Sequence, residues 1–566
     1  MTVRDTPDAL TTPQPDDVAL PTLSGDDLAA MMPFGEVRDV AAGEVLYYAD
    51  ASWAELHCSR PEFIVVLEGE VEIIRPDPDG DVLVVVQGPG RFLGELNLLT
   101  GQRPYFTARV RADGRVLVIP PQEFHRLMGS KPDLADVIFN ALTARRALLQ
   151  NGEAARGLRI VGSRYSPEAM ALRGFASRSH VSHTWIDVED AVDVDGLLGG
   201  MGLSVADLPA VTTSTTVLRR ATPGVLGEHL GLTFRSAPGY LFDLVVVGSG
   251  PAGLAAAVCA ASEGLDIVSV DGVAIGGQAG TSSRIENYVG FPNGVSGDEL
   301  ASRAAIQAQR LGARLNAPCG AAGLQPERGF HVVTLDDGSE IPTRAVVIAS
   351  GARYRRLAVD ELARFEGAGV YYAATDLEAR MCAGQDVVVV GGGNSAGQAA
   401  LYLAQQRSHV KLVIRGHDLA KHMSRYLIDR IEAHPRIEVL RTTEVRALSG
   451  GHNLTSVVLE HTPTAERRSV ACAGLFCFIG AEPATGWLQD KVALDPDGFV
   501  LTDRQLPETV LLASFAGRDP LPFETSIMGV FAVGDVRHGS TKRVAAAVGE
   551  GSSVVRSVYD HIAMTL

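Results

Sequence analysis

Two short glycine-rich turns, Gly248-Ser249-Gly250-Pro251-Ala252-Gly253 and Gly391-Gly392-Gly393-Asn394-Ser395-Ala396, constrain this chain more than any other feature. Each follows an apolar β-branched run, Leu244 to Val247 and Val387 to Val390, and each opens an alanine-rich helical stretch. A strand, a glycine turn and a helix in that order make a phosphate cradle. The missing side chains let backbone amides approach a diphosphate, and the helix N-terminus favours its charge. Two such units imply two Rossmann-like three-layer domains and two dinucleotides.

The chain has 566 residues, enough for about three or four domains. A formal charge of -17 argues against surfaces that bind nucleic acid or anionic lipid, because both must neutralise phosphate. Residues 1–22, rich in Asp, Pro and Thr, read as a disordered leader without the basic flank and apolar core of an export signal. The cytoplasm is the expected compartment. Leu244 to Ala261 is apolar, but the glycine turn in its middle makes it a buried strand and helix, not a membrane span. Six cysteines, Cys58, Cys259, Cys319, Cys382, Cys472 and Cys477, are scattered with no pair in CxxC spacing. That pattern suits inert buried thiols and offers no metal site.

Between Val37 and Ile119, short β-rich runs alternate with Gly, Pro and Asp turns, the pattern of a small β-roll in a domain spanning 23–150. Phe63 to Leu67 and Val71 to Ile74 read as separate strands, and Pro121 to Gln150 as one closing helix with Phe124, Leu127, Met128, Leu134, Val137, Ile138 and Leu142 on its apolar face. Through Gly88 to Leu99 and Arg103 to Ala108 the domain resembles the cyclic-nucleotide-binding family. That family's glutamate corresponds to Glu95, but Tyr105 stands where its phosphate-binding arginine follows Pro104, and Arg103 lies on the wrong side of the proline. Without that cation a buried cyclic phosphate is costly, so cyclic-nucleotide binding is not expected.

Residues 157–235 resemble the α/β thioredoxin and glutaredoxin fold. Arg159 to Gly162 and Thr184 to Asp187 read as strands, Pro167 to Ala176 as the first helix, and Leu208-Pro209 as the family's cis-proline position. The redox cysteines of that fold would open the first helix. Ser166-Pro167-Glu168-Ala169 stands there instead, which reads as a helix cap with no thiol chemistry and leaves docking or packing as the domain's role.

From Leu241 onward the chain resembles the low-molecular-weight thioredoxin reductase family in several ordered motifs. The resemblance implies an FAD domain in two parts, 240–355 and 485–566, around an NAD(P) domain at 356–484. Gly248 to Gly253 would hold the FAD diphosphate and Asp271 the ribose hydroxyls. Gly276-Gly277-Gln278 and Ile285-Glu286-Asn287-Tyr288 match loops that lie near the flavin, so Gly277, Gln278 and Asn287 join the site. Ala349-Ser350-Gly351-Ala352 and Phe478-Ile479-Gly480 match the two crossovers between the domains. Gly534-Asp535 matches the second flavin motif, and Lys542-Arg543-Val544 starts a helix whose amides would stabilise negative charge on the reduced ring. Gly391, Gly393, Asn394, Ser395 and Ala396 would bind the nicotinamide cofactor. Arg415, assisted by Lys421 and with no Asp or Glu at that strand end, favours NADPH, with NADH as the alternative.

The family's Cys-Ala-Thr-Cys relay is replaced by Tyr371-Tyr372-Ala373-Ala374-Thr375-Asp376. The expected protein is therefore multidomain, an FAD-dependent NAD(P)H oxidoreductase of the thioredoxin reductase-like superfamily, passing electrons from the flavin to an unidentified acceptor without a dithiol relay. Tyr371 or Tyr372 would cover the vacated flavin face. Two alternatives remain open: a disulfide reductase using the lone Cys382, and a flavin-based redox or ligand sensor with incidental turnover. The resemblance also implies a homodimer, with a small molecule or a protein as acceptor.

Overall fold

A computed structural model describes residues 18–48, 62–75, 82–94, 106–151, 158–179, 181, 183–213, 216–233, 239–282, 284–374, 376–488, 491–515 and 517–565. The N-terminal domain is an antiparallel sheet of five strands, Glu36–Val40, Val45–Tyr47, Phe63–Arg75, Val82–Gln87 and Thr107–Ile119. Its backbone is the pairing of Phe63–Arg75 with Thr107–Ile119. The two short strands expected between Phe63 and Ile74 are one. Gly69, expected to end a strand, instead sits in a bulge with φ +85°, and a Cβ on the facing Gly114 would lie 2.0 Å from the Glu68 carbonyl oxygen. A bulge bends a strand without ending it.

The expected single helix is two, Pro121–Ser130 and Pro132–Asn151, because Pro132 drives Lys131 out of helical geometry to φ -129°. The apolar face buries as expected except at Val137, which is exposed. Residues 18–22 of the expected leader pack on this domain: Ala19 is fully buried and its carbonyl accepts Arg145 Nε at 2.7 Å. Gly94 is the last described residue before the segment holding Glu95, and Glu95, Arg103, Pro104 and Tyr105 lie outside the described residues.

The middle domain has a four-stranded sheet in the order Thr184–Asp187, Arg159–Gly162, Ala210–Thr212, Val217–Leu218, with the first pair parallel and the others antiparallel. Its first helix, Pro167–Arg178, starts where Ser166 Oγ accepts the Ala169 amide at 3.1 Å, and the Leu208–Pro209 peptide is cis.

Beyond residue 240 the chain builds two domains on mainly parallel sheets, the first with an antiparallel edge of Ala321–Pro326 and His331–Leu335. In the first, Phe242–Val247 lies between Ile267–Val270 and Glu340–Ile348, all parallel, and Val530–Ala532 returns from the C-terminal part to lie parallel to Glu340–Ile348. Helices Pro251–Ser262 and Val544–Thr565 cover one face so closely that a Cβ on Gly551 would lie 2.0 Å from the Ala252 carbonyl oxygen. In the second, five parallel strands run in the order Val370–Tyr371, Gly474–Cys477, Asp386–Val390, His409–Val413, Ile437–Leu440. The two crossovers lie side by side as the antiparallel pair Ala352–Tyr354 and Ala481–Pro483. Among the described residues no helix is long and apolar enough to cross a membrane.

Candidate functional site

Both glycine turns open onto one cavity of about 1010 Å³ between the two parallel-sheet domains. At the first turn Gly248 has φ +108°, and a Cβ would lie 2.2 Å from the Ala349 carbonyl oxygen; on Gly253 it would lie 1.8 Å from that of Gly248. These glycines, with buried Ser249, shape the turn from beneath, while Gly250, Pro251 and Ala252 line the cavity. The loop holding Gly277, at φ +56°, rests on the turn, since a Cβ there would lie 2.8 Å from Gly250 Cα.

Asp271 follows its strand as expected. Its Oδ2 accepts the Ser249 amide at 2.8 Å, and its Oδ1 accepts the amides of Val273 at 2.9 Å and Ala274 at 3.2 Å. Burial pushes this carboxyl above the usual range, and those three donors oppose the shift. The second flavin motif meets the first turn, because a Cβ on Gly534 would lie 2.8 Å from Ala252 Cβ. Glu550 on the last helix fixes that motif, accepting the Gly534 amide at 2.7 Å and pairing with Arg537 at 2.6 Å. Asp535, Lys542, Arg543 and Val544 line the cavity. Burial raises the Asp535 carboxyl while the Lys542 ammonium opposes it. This donor set fits a dinucleotide: side-chain-free amides at a helix N-terminus, one carboxylate beyond the next strand and a second near the final helix.

At the second turn Gly391 has φ +144°, and a Cβ would lie 2.3 Å from the Phe478 carbonyl oxygen. Gly393, Asn394, Ser395 and Ala396 line the same cavity, with Asn394 Oδ1 accepting the Ser424 amide at 2.7 Å. Arg415, Lys421 and His422 stand exposed on the rim. Asp418, just past that strand end, lines it too, and its Oδ1 is engaged by the Ala420 amide at 2.9 Å.

Asn287 is exposed and does not line the cavity. Its neighbour Glu286 instead ties the two domains together, pairing with Arg430 at 3.2 Å. Tyr371, expected at the flavin face, is buried in the nicotinamide-side core with its ring 5.2 Å from that of Phe476. Tyr372 donates to Glu366 at 2.6 Å and stacks behind Tyr354 at 6.3 Å. Tyr354 lines the cavity instead, as do Phe478, Gln278 and Asp535. The motif at the Ala349–Ala352 crossover ends two residues short of it. Cys382 is 1 % exposed in the same core as Tyr371, and burial pushes its thiol up to about 11. Cys472 and Cys477 lie on either side of a bend at Ala473; both are buried, with thiols pushed up to about 12. Cys58 lies outside the described residues.

Residues 38–131 match the family model described as cyclic nucleotide-binding domain. The thioredoxin reductase of Treponema pallidum is 30% identical over 321 residues, covering 57% of this chain and 97% of that protein. The bifunctional thioredoxin reductase/thioredoxin of Mycobacterium leprae is 32% identical over 319 residues, covering 56% of this chain and 65% of that protein. The crystal structure of Lactococcus lactis thioredoxin reductase in its FR conformation superposes with a TM-score of 0.51 at 27% identity, covering 57% of this chain and 99% of that one. Residues 242–551 match the pyridine nucleotide-disulphide oxidoreductase model, and with both glycine turns facing one cavity the chain belongs to that family as a thioredoxin reductase-like NAD(P)H flavoprotein oxidoreductase.

Proposed function

We propose that this protein oxidises NADPH through FAD and delivers the electrons directly to a non-disulfide acceptor, a quinone or dioxygen. The observation that carries this reading is the cavity itself: both glycine turns line it, and among the described residues no cysteine does. Bound together, the two cofactors supply transfer of a hydride from nicotinamide to flavin. The chain supplies position and electrostatics. Amides at the start of Pro251–Ser262 and Asn394–Gln405 hold the two diphosphates, Asp271 accepts from the ribose of the flavin nucleotide, and Arg415 with Lys421 meets the extra phosphate of NADPH. The start of Val544–Thr565 favours negative charge on the reduced ring, and Tyr354 keeps water from one wall. The middle domain is a thioredoxin-like scaffold without redox cysteines, and the working unit is a cytoplasmic homodimer.

Anaerobic rapid mixing with NADPH, then with quinone, oxygen or a thioredoxin disulfide, tests this. Fast flavin bleaching by NADPH and reoxidation by quinone or oxygen are expected; reoxidation by the disulfide alone refutes the reading. A regulated reductase is a second reading, favoured by one contact. Ile306, on the helix Gly297–Arg310, belongs to the apolar core of the N-terminal domain, and the same helix packs on the loop that carries Gly276 through Ala301.

A further inference from the structure

The middle domain meets both halves of the reductase, at the two ends of the helix Pro167–Arg178 and through the helix Pro223–His229. Before its first turn the Tyr165 ring stacks on His452 at 5.8 Å and its hydroxyl accepts Asn453 Nδ2 at 3.4 Å, both residues of the nicotinamide side. At its last residue Arg178 Nη2 donates to the Gly277 carbonyl at 2.8 Å, on the loop that rests on the first glycine turn. The junction there is packed: fully buried Ala274 belongs to the middle domain's own core beside Leu172, Phe175 and Leu226, and a Cβ on Gly227 would lie 2.6 Å from Pro318 Cδ.

Arg178 is poorly served by the protein around it. Its Nε is buried and donates to nothing, and among the described residues it makes no ion pair. Asp271 and Asp298 act on it only at longer range, while burial works against its charge. A guanidinium has five donors, and desolvating one without a counter-ion is costly. Arg178 does not itself line the cavity, but Gly277, whose carbonyl it holds, and Asp271, whose charge acts on it, both line it at the first turn.

We propose that Arg178 is a cofactor-binding residue, a cation supplied by the middle domain that completes the diphosphate site of FAD at the first glycine turn. This rests on the reading that FAD occupies that part of the cavity. The middle domain is then a built-in part of the flavin site, and FAD binding and domain docking stabilise one another by linkage.

The test uses the full-length chain stripped of flavin, with FAD, ADP and adenosine as probes. Removing the charge in Arg178→Gln should raise the Kd for FAD and ADP at least tenfold, leave adenosine within twofold, and flatten the salt dependence of FAD binding. Arg178→Lys should recover most of the FAD affinity, because the charge remains even though the fork geometry is lost. Equal FAD affinity in Arg178→Gln and the parent overturns the proposal. So does equal loss in the Gln and Lys variants accompanied by equal drops in the Tm of the flavin-free proteins, which marks a packing role. A parent protein that binds ADP but not FAD leaves Arg178 in place and refutes the flavoprotein reading instead.

Discussion

Cys382 is the residue on which the choice of acceptor chemistry turns. With a thiol pushed up to about 11, the thiolate fraction at pH 7 is roughly one in ten thousand, about a hundredfold below that of a thiol titrating near 9. Thiol–disulfide exchange and alkylation both proceed through the thiolate, so both should be slowed about tenfold before burial is counted, the lost thiolate being partly offset by the greater nucleophilicity of a higher-pKa thiolate. Burial adds to it, since Cys382 is 1 % exposed and a Cβ on Gly474 would lie 2.7 Å from its sulfur. Cys382→Ala should therefore leave NADPH-driven quinone reduction within twofold of the parent, at a cost of about 1–2 kcal/mol in stability for the lost packing. Iodoacetamide at pH 7 should label the native protein at this site over hours, with the rate climbing as pH rises toward 10. The assays are steady-state NADPH oxidation and mass-resolved alkylation. Rapid stoichiometric labelling of Cys382 at pH 7 with matching loss of turnover would refute the argument. So would a thioredoxin-disulfide activity that the alanine variant abolishes.

Burial beside His561 lowers the His331 imidazole to about 4. The unfolded chain binds that proton from pH 6.5 downward and the folded chain does not, so the contribution is full above 6.5 and is lost as pH falls toward 4. The loss is at most about 3 kcal/mol, and chemical denaturation of the parent and His331→Gln at pH 7 and 4.5 should show their stability difference shrinking; a constant difference refutes it. Gly391→Ala would place its Cβ 2.3 Å from the Phe478 carbonyl oxygen at φ +144°, so NADPH should no longer bleach a flavin that the protein still retains, as rapid mixing would show. Arg415→Gln should raise the KM for NADPH about tenfold, the loss of a charge-assisted phosphate contact, and leave that for NADH unchanged. An equal effect on both nucleotides would place Arg415 outside the phosphate site.

The two cofactor domains are legible because their signals are local: a β-branched run, a glycine turn and an alanine-rich helix lie within some twenty residues, and steric necessity at Gly248, Gly253 and Gly391 writes them into the sequence. Gly69 misleads because a glycine that relieves a bulge and one that ends a strand look alike until the partner strand is known. Lys131 misleads because one proline, Pro132, outweighs an otherwise continuous apolar face. Tyr371 and Tyr372 are expected at the flavin by analogy with missing cysteines, but an aromatic ring is far larger than a thiol. Tyr371 turns into the apolar core, where Phe476 receives it, and Tyr354, from the crossover strand, lines the cavity.

Arg178 shows where sequence reading ends for a physical reason. At the C-terminal end of a helix an arginine has a sufficient local explanation, because the helix dipole favours a cation there, so nothing in its neighbourhood marks it as unusual. Its neighbours across space, Gly277 and Asp271, lie about a hundred residues on in another domain, joined to it by the packing of Ala274 into a foreign core. Local propensity and the tertiary site thus favour the same residue for different reasons, and only the second predicts that exchanging its charge alters the binding of a dinucleotide. The middle domain, read from its missing cysteines as a packing module, acquires through that one side chain a direct claim on the chemistry of the domain that follows it.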